Sequence, residues 1–238
     1  MPLAATLWAL ALFMQDAPAT KDTLLERVTA YARQYESEMP DFICTRVTRR
    51  SQQKSNGEWK LLDTVEDEVA YSGGRERMRT ISVNGKPAKP GASPSGFNSS
   101  GEFGSSMTYI FAPDSHAQLE FHPPDEFEFH VARINSVFTI RSAGLSSPVG
   151  FHGTLTVRPD GAILKLHLET EAAPELSMGE ATQEVEFADT TISGQHFMLA
   201  SRAMALIRAK KTLLRREMTF RDYRKYEADS TLNFSIPK

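Results

Sequence analysis

From Pro40 onward apolar side chains recur at every second position, and the runs are cut by dipeptides that turn the chain. Residues 42–50 lead to Asn56-Gly57, residues 59–71 to Gly73-Gly74, and residues 75–83 to Asn84-Gly85. Such dipeptides suit tight hairpins because both central residues take positive φ. The three runs therefore read as an antiparallel meander. A strand period of two leaves one face buried and the other wet, which fixes the sheet's two sides in advance.

The second half repeats the pattern. Phe127, Phe129 and Val131 alternate with Glu126, Glu128 and His130, and Phe151, Leu155 and Val157 with His152, Thr154 and Arg158. Pro159-Asp160-Gly161 turns the chain into Leu164, Leu166 and Leu168, which alternate with Lys165, His167 and Glu169. Val185 and Phe187 alternate with Glu184 and Glu186, and Ser193-Gly194 turns into residues 196–207. Leu214, Met218 and Phe220 share one face, and Leu232, Phe234 and Ile236 close the chain.

Before Pro40 the period is helical: Leu24, Val28, Tyr31, Ala32 and Tyr35 fall on one face. Thr23 to Glu26 has capping-box spacing, and Pro40 ends the helix. The helix's apolar stripe needs a partner, and an open sheet supplies one where a closed barrel would not. The expected fold is α+β, mainly antiparallel β. It is a curved half-barrel sheet with an N-terminal helix and short helical cover on its concave face.

A chain of 238 residues is long enough for one large domain with a self-sufficient core, here residues 20–238. A net charge of -3 argues against a nucleic-acid partner, and one cysteine excludes an internal disulfide. Cys44 reads as a small buried hydrophobe on a strand. Residues 3–14 are apolar and uncharged, too short to span a bilayer and of signal-peptide length, although no basic residue precedes them. Residues 1–19 are therefore expected to be a signal peptide, and the protein periplasmic or secreted.

Residues 84–107 break the rhythm with Gly, Ser and Pro, and are expected to form a long flexible loop. This loop is either a plain insertion or a lid whose aromatics, Phe97 and Phe103, close a cavity. It runs into Met107-Thr108-Tyr109-Ile110-Phe111, which suits a short helix. Charge is uneven as well. Residues 90–132 hold six acids and no Lys or Arg, while residues 202–225 hold nine basic residues and two acids. The two blocks are expected to pair across the sheet or to be solvated. Alternatively the basic one, with Arg208, Lys210, Lys211, Arg215 and Arg216, meets an anionic surface. Arg75, Arg77 and Arg79 share a strand face and are expected to pair with Glu66 and Glu68 across the Gly73-Gly74 turn.

No motif supports catalysis. The six histidines form no HExxH, there is no Gly-x-Ser-x-Gly elbow, and Gly101 to Gly104 is not a phosphate loop. The adjacent Asp114-Ser115-His116 has no bearing on triad geometry. No metal, cofactor or catalytic residue is expected.

The segments GTLTVRPDGAILKLHLET, EVEFADTTISGQHFMLASRAMA and MTFRDYRKYEADSTLNF are similar to the close of bacterial exported proteins of the outer-membrane lipoprotein carrier (LolA/LolB/RseB-like) superfamily. The whole also resembles exported proteins of acidobacterial-type genomes. The resemblance implies a half-barrel with helices on its concave face and a hydrophobic cavity between them. Its ligand contacts cannot be carried over, because no motif around those positions matches. The expected function is then non-enzymatic binding of a hydrophobic or amphipathic ligand, a lipid or a lipoprotein acyl chain. Leu24, Val28, Tyr31 and Tyr35 would line the site from the helix, and Phe97, Phe103, Tyr109 and Phe111 from the loop. The alternative is a periplasmic interaction or sensor module that meets an envelope protein or an anionic membrane surface.

Overall fold

The computed structural model describes residues 21–89, 102–142, 145–176, 178–209 and 212–226. Helix α1 (Lys21–Glu38) opens it. Strands β1 (Phe42–Gln53), β2 (Trp59–Ser72), β3 (Arg75–Val83) and the short β4 (Lys86–Pro87) follow as an antiparallel meander. Helix α2 (Ser105–Phe111) precedes β5 (Gln118–His122), β6 (Glu126–Val131) and a separate hairpin of β7 (Thr139–Ser142) and β8 (Leu145–Pro148). Then come β9 (Phe151–Val157), β10 (Ile163–Thr170), β11 (Met178–Ile192), β12 (Gln195–Ala209) and β13 (Thr212–Lys225).

The main sheet is antiparallel and open, in the order β4-β3-β2-β1-β13-β12-β11-β10-β9-β6-β5. It is the half-barrel that the alternation predicts. The bulged registers between β1 and β13, and between β11 and β12, are the kind of irregularity that bends a long sheet. Its concave face carries Phe42, Val69, Tyr71, Phe127, Phe129, Phe151, Leu155, Leu166, Val185 and Phe220 in one continuous core. Burial alternates along β6, β9, β1 as far as Thr48 and β2 from Val65, as a sheet wet on one side requires.

Helix α1 lays Leu24, Val28, Ala32 and Tyr35 into that core and packs on β10 and α2. It already runs at Lys21, so Thr23 lies in its first turn and not at a cap. Its place on the sheet is set by the β9–β10 turn. Arg27 Nη1 donates to Pro159 O at 2.7 Å. Gly161, at φ +91°, lies so near the helix that a Cβ there would sit 2.6 Å from the Arg27 carbonyl carbon. Positive φ and this close approach together require glycine. At the other end of α1, Tyr35 Oη donates to Met198 O at 2.7 Å on β12.

Both flanks of the expected 84–107 loop are ordered structure: Lys86 and Pro87 in β4, and Ser105 onward in α2. The acidic and basic blocks approach at one point, Glu102 near Arg216, while the β6 acids lie elsewhere. Strand β6 stands five places from β13 in the sheet, and basic side chains of β13 reach across β1 to acids of β2. Arg221 reaches Glu66 at 3.1 Å and Arg224 reaches Glu68 at 3.3 Å. Of the β3 arginines, Arg79 meets Glu68 at 2.9 Å, while Arg75 and Arg77 are exposed.

Candidate ligand-binding site

The concave face is covered in two parts. Helix α1 covers the β10–β12 side, anchored at both ends as above. The β1–β2–β13 side is covered by the segment from Glu102 through α2. Phe103 packs its ring against Phe42 (5.2 Å between centroids), Phe220 (5.3 Å) and Tyr71 (6.4 Å). Met107, Ile110 and Phe111 are buried beside it, and Tyr109 meets Phe138 edge-on at 6.0 Å. Leu24, Val28, Tyr35, Phe103 and Phe111 thus converge in one packed core, with Tyr31 and Tyr109 half-buried at its margin. Phe97 lies outside the described residues.

Helix α2 is seven residues long and begins after Gly104, a left-handed residue that offers no side-chain cap. A helix this short has no stability of its own and depends on what it packs against.

Free space remains beside α1. A cleft of about 240 Å³ lies between its C-terminal half, the β9–β10 turn and the start of β12. Tyr31, Tyr35, Met39, Phe197 and Met198 supply its apolar wall. Arg158 pairs with Asp160 at its rim, and His196 Nδ1 lies 2.7 Å from Asp189 Oδ1 nearby. Burial pushes the Tyr31 and Tyr35 phenols up, so both stay protonated across the working pH range.

A polar corner interrupts the concave face, and reading the sequence for apolar residues passes over it. On β1 the inward positions run Phe42, Cys44, Arg46, Thr48, so the apolar side of the alternation turns polar halfway along the strand. Arg46 is buried and pairs with Asp67 of β2 at 2.9 Å; Asp67 also accepts from Thr80 Oγ1 at 2.8 Å. Arg50 pairs with Asp63 at 2.5 Å. Arg216 of β13 stands opposite Arg50 and is 7% exposed. Burial and the arginines around it pull its guanidinium down to about 10. Gln183 of β11 donates to Glu102 Oε1 at 3.5 Å, and Glu102 is wholly buried. Glu76 of β3 completes the corner; burial, and Glu102 near it, push its carboxyl up to about 7.

Of the basic residues read as a surface patch, Arg208 is exposed. Arg215 lies 4.4 Å over the Trp59 ring and 3.4 Å from Glu217. Strand alternation turns Arg216 to the opposite, buried face. Its burial corrects the surface reading: Arg216 belongs to the concave side. Lys210 and Lys211 lie outside the described residues.

Cys44 is buried on β1, and burial pushes its thiol up to about 12. His130 and His152 face each other on the outer side of β6 and β9, both exposed. Among the described residues no group of three or more His, Cys, Asp or Glu could hold a metal ion. No helix among them is long and apolar enough to cross a membrane.

The sheet and its two-part cover define a half-barrel with a helix-covered concave face. Solved structures similar to it include a LolA superfamily protein from Nitrosomonas europaea, 11% identical, with TM-score 0.41 over 88% of this chain and 94% of that one. A DUF1329 family protein from Desulfovibrio piger is 8% identical, with TM-score 0.32 over 85% and 91%. An outer-membrane lipoprotein-sorting protein domain from Vibrio parahaemolyticus is 12% identical, with TM-score 0.28 over 83% and 91%. The superfamily that the C-terminal segments resemble is thus among these similar structures, while none of the three is acidobacterial. No protein-family model matches the chain, and no curated protein does.

Proposed function

We propose that this protein is an exported, non-enzymatic carrier of a hydrophobic or amphipathic molecule, such as a lipid or acyl chain, held between the sheet and its cover. The observation that carries the reading is the unequal cover. Helix α1 is fixed to the sheet by Arg27, Gly161 and Tyr35, whereas α2 is short, has no side-chain cap and rests on the packing of Met107, Ile110 and Phe111, with Glu102 before it bonded to Gln183. An acyl chain exchanges one set of apolar contacts for another. The free energy lost by Phe103, Met107, Ile110 and Phe111 on leaving the sheet is returned by the ligand's own methylenes, about 0.8 kcal/mol each. The cleft beside Tyr31 and Tyr35 adds a second apolar surface at the C-terminal half of α1.

The test is native mass spectrometry of the protein purified from its envelope fraction, with titration of the neutral apolar fluorophore N-phenyl-1-naphthylamine. A co-purifying lipid mass and a saturable rise in fluorescence are expected. Protein that carries no lipid and leaves the fluorophore dark would end the carrier reading.

A further inference from the structure

We propose that the β7–β8 hairpin and the turn before it form a wedge that docks reversibly on a lipid bilayer, beside the part of the cover that an acyl chain would displace. This rests on the carrier reading and adds the surface at which such a carrier takes up or delivers its ligand.

The argument starts from exposure. Single apolar side chains on a surface are ordinary, but a group of them marks a contact. The three most exposed large apolar side chains among the described residues are Ile134 at 91%, Leu145 at 62% and Val137 at 56%. All three fall within residues 134–145, on one small unit. A single 3-10 turn, Arg133–Asn135, leads into β7, and β7 and β8 form a two-stranded sheet of their own. Arg133 Nη2 donates to Ser147 Oγ at 2.8 Å, which ties the turn to the hairpin. Leu145 pairs with Ser142 at the hairpin's end. Ile140, Val149, Ala173 and Leu176 already give the unit a core. Ile134, Val137 and Leu145 are left outside it.

The chemistry of these side chains selects the partner. They are branched aliphatics with no aromatic ring among them, whereas protein interfaces concentrate Tyr, Trp and Arg at their centres. Hydrocarbon accepts such groups without directional contacts. Residues 132–149 contain Arg133 and Arg141 and no acid, and Glu175 from outside the unit is taken up by Arg133 at 2.6 Å. The unit therefore does not repel an anionic lipid surface. Three aliphatic side chains carry no more hydrocarbon than one acyl anchor, so binding is weak and reversible, with an association constant of about 10⁴ M⁻¹ or below. A carrier that must leave the membrane again needs no more.

The wedge also touches the cover. Phe138 packs against both cores; it meets Tyr109 of α2 edge-on at 6.0 Å and Phe151 of β9 at 5.7 Å. A bilayer under the wedge would lie next to α2, the shorter part of the cover.

The experiment is co-sedimentation of the purified protein with vesicles of phosphatidylethanolamine and phosphatidylglycerol, with N-phenyl-1-naphthylamine binding measured on the same samples. Saturable, reversible vesicle binding is expected. Ile134→Asp and Leu145→Asp should each lower it about tenfold or more. Both positions are open to solvent, so the fold should hold in both variants. Leu61→Asp, at an exposed leucine of the main sheet, should change vesicle binding less than about twofold. All three variants should bind the fluorophore as the parent does. A parent that binds the fluorophore and ignores the vesicles would overturn the wedge and leave the carrier reading intact. Vesicle binding lost equally in Leu61→Asp would overturn it in favour of general apolar adhesion. Self-association seen by light scattering without vesicle binding, and abolished by Ile134→Asp, would overturn it in favour of a second copy of the chain. A dark fluorophore beside vesicle binding that Ile134→Asp abolishes would uphold the wedge and end the carrier reading.

Discussion

Replacing Glu76 by Gln should stabilise the protein, and only above mildly acidic pH. Glu76 lies on the inward side of β3, opposite Tyr71 of β2, with Arg46 of β1 and Glu102 of the cover within electrostatic reach. Burial and the Glu102 carboxylate outweigh the pull of Arg46, and its carboxyl is pushed up from 4.5 to about 7. The folded state therefore holds a proton that the unfolded chain has released between those values. Stability is full below about pH 4.5, falls as pH rises, and levels off above about pH 7; the loss amounts to about 3 kcal/mol. Gln keeps the shape and never ionises. The stability gap between variant and parent should open from near zero at pH 4.5 to about 3 kcal/mol at pH 8, or about 6–12 °C in Tm for a chain of this size. Urea unfolding followed by circular dichroism at pH 4.5, 6, 7 and 8 reads this directly. Contributions from other titrating groups cancel in the difference. A gap that stays constant across these pH values, or a variant less stable than the parent at pH 8, would show that the corner does not hold Glu76 as a buried acid.

Three further outcomes follow from the packing. Phe103→Ala should cost about 3–5 kcal/mol, since it empties a site bounded by three aromatic rings. The same variant should bind N-phenyl-1-naphthylamine more strongly, and weaker fluorescence would count against the exchange of cover for ligand. Asp67→Ala strands Arg46 in the core and should cost about 3–5 kcal/mol in urea unfolding; a loss below 1 kcal/mol would show the pair to be solvated. Gly161→Ala and Gly57→Ala both place a side chain at positive φ, yet only the first also meets a helix backbone. Both should lose about 1–3 kcal/mol from strain, with Gly161→Ala clearly the larger loss; equal losses would show that the turn does not press on α1.

The fold was legible because a two-residue period is unambiguous once turn dipeptides bracket it. Asn84-Gly85 and Ser193-Gly194 do take the positive φ that their hairpins need. The helix stripe from Leu24 to Tyr35 was legible for the same reason, as was the helical character of residues 107–111. Which strands pair across long distances was not. Nothing in the residues of β13 says that it lies beside β1, so which acids its basic residues would reach, Glu66 and Glu68 of β2, was not legible. The polar corner was written in Arg46, Thr48, Gln183 and Arg216, each at an inward position. A reading tuned to apolar residues takes such positions as noise, and Arg216 was placed on the surface with its neighbour Arg215. Glu102 could not be found from sequence at all, since its burial depends on the path of the cover.

The strand order has a further consequence for how the molecule is made. Among the described residues, the meander of β1 to β4 and the array of β5 to β12 adjoin in the sheet through β13, which follows them all along the chain. Until it arrives, each half presents an unsatisfied edge, β1 on one side and β12 on the other, and the bowl has no centre. The seam between β1 and β13 therefore closes over a long stretch of intervening chain, which makes for slow folding.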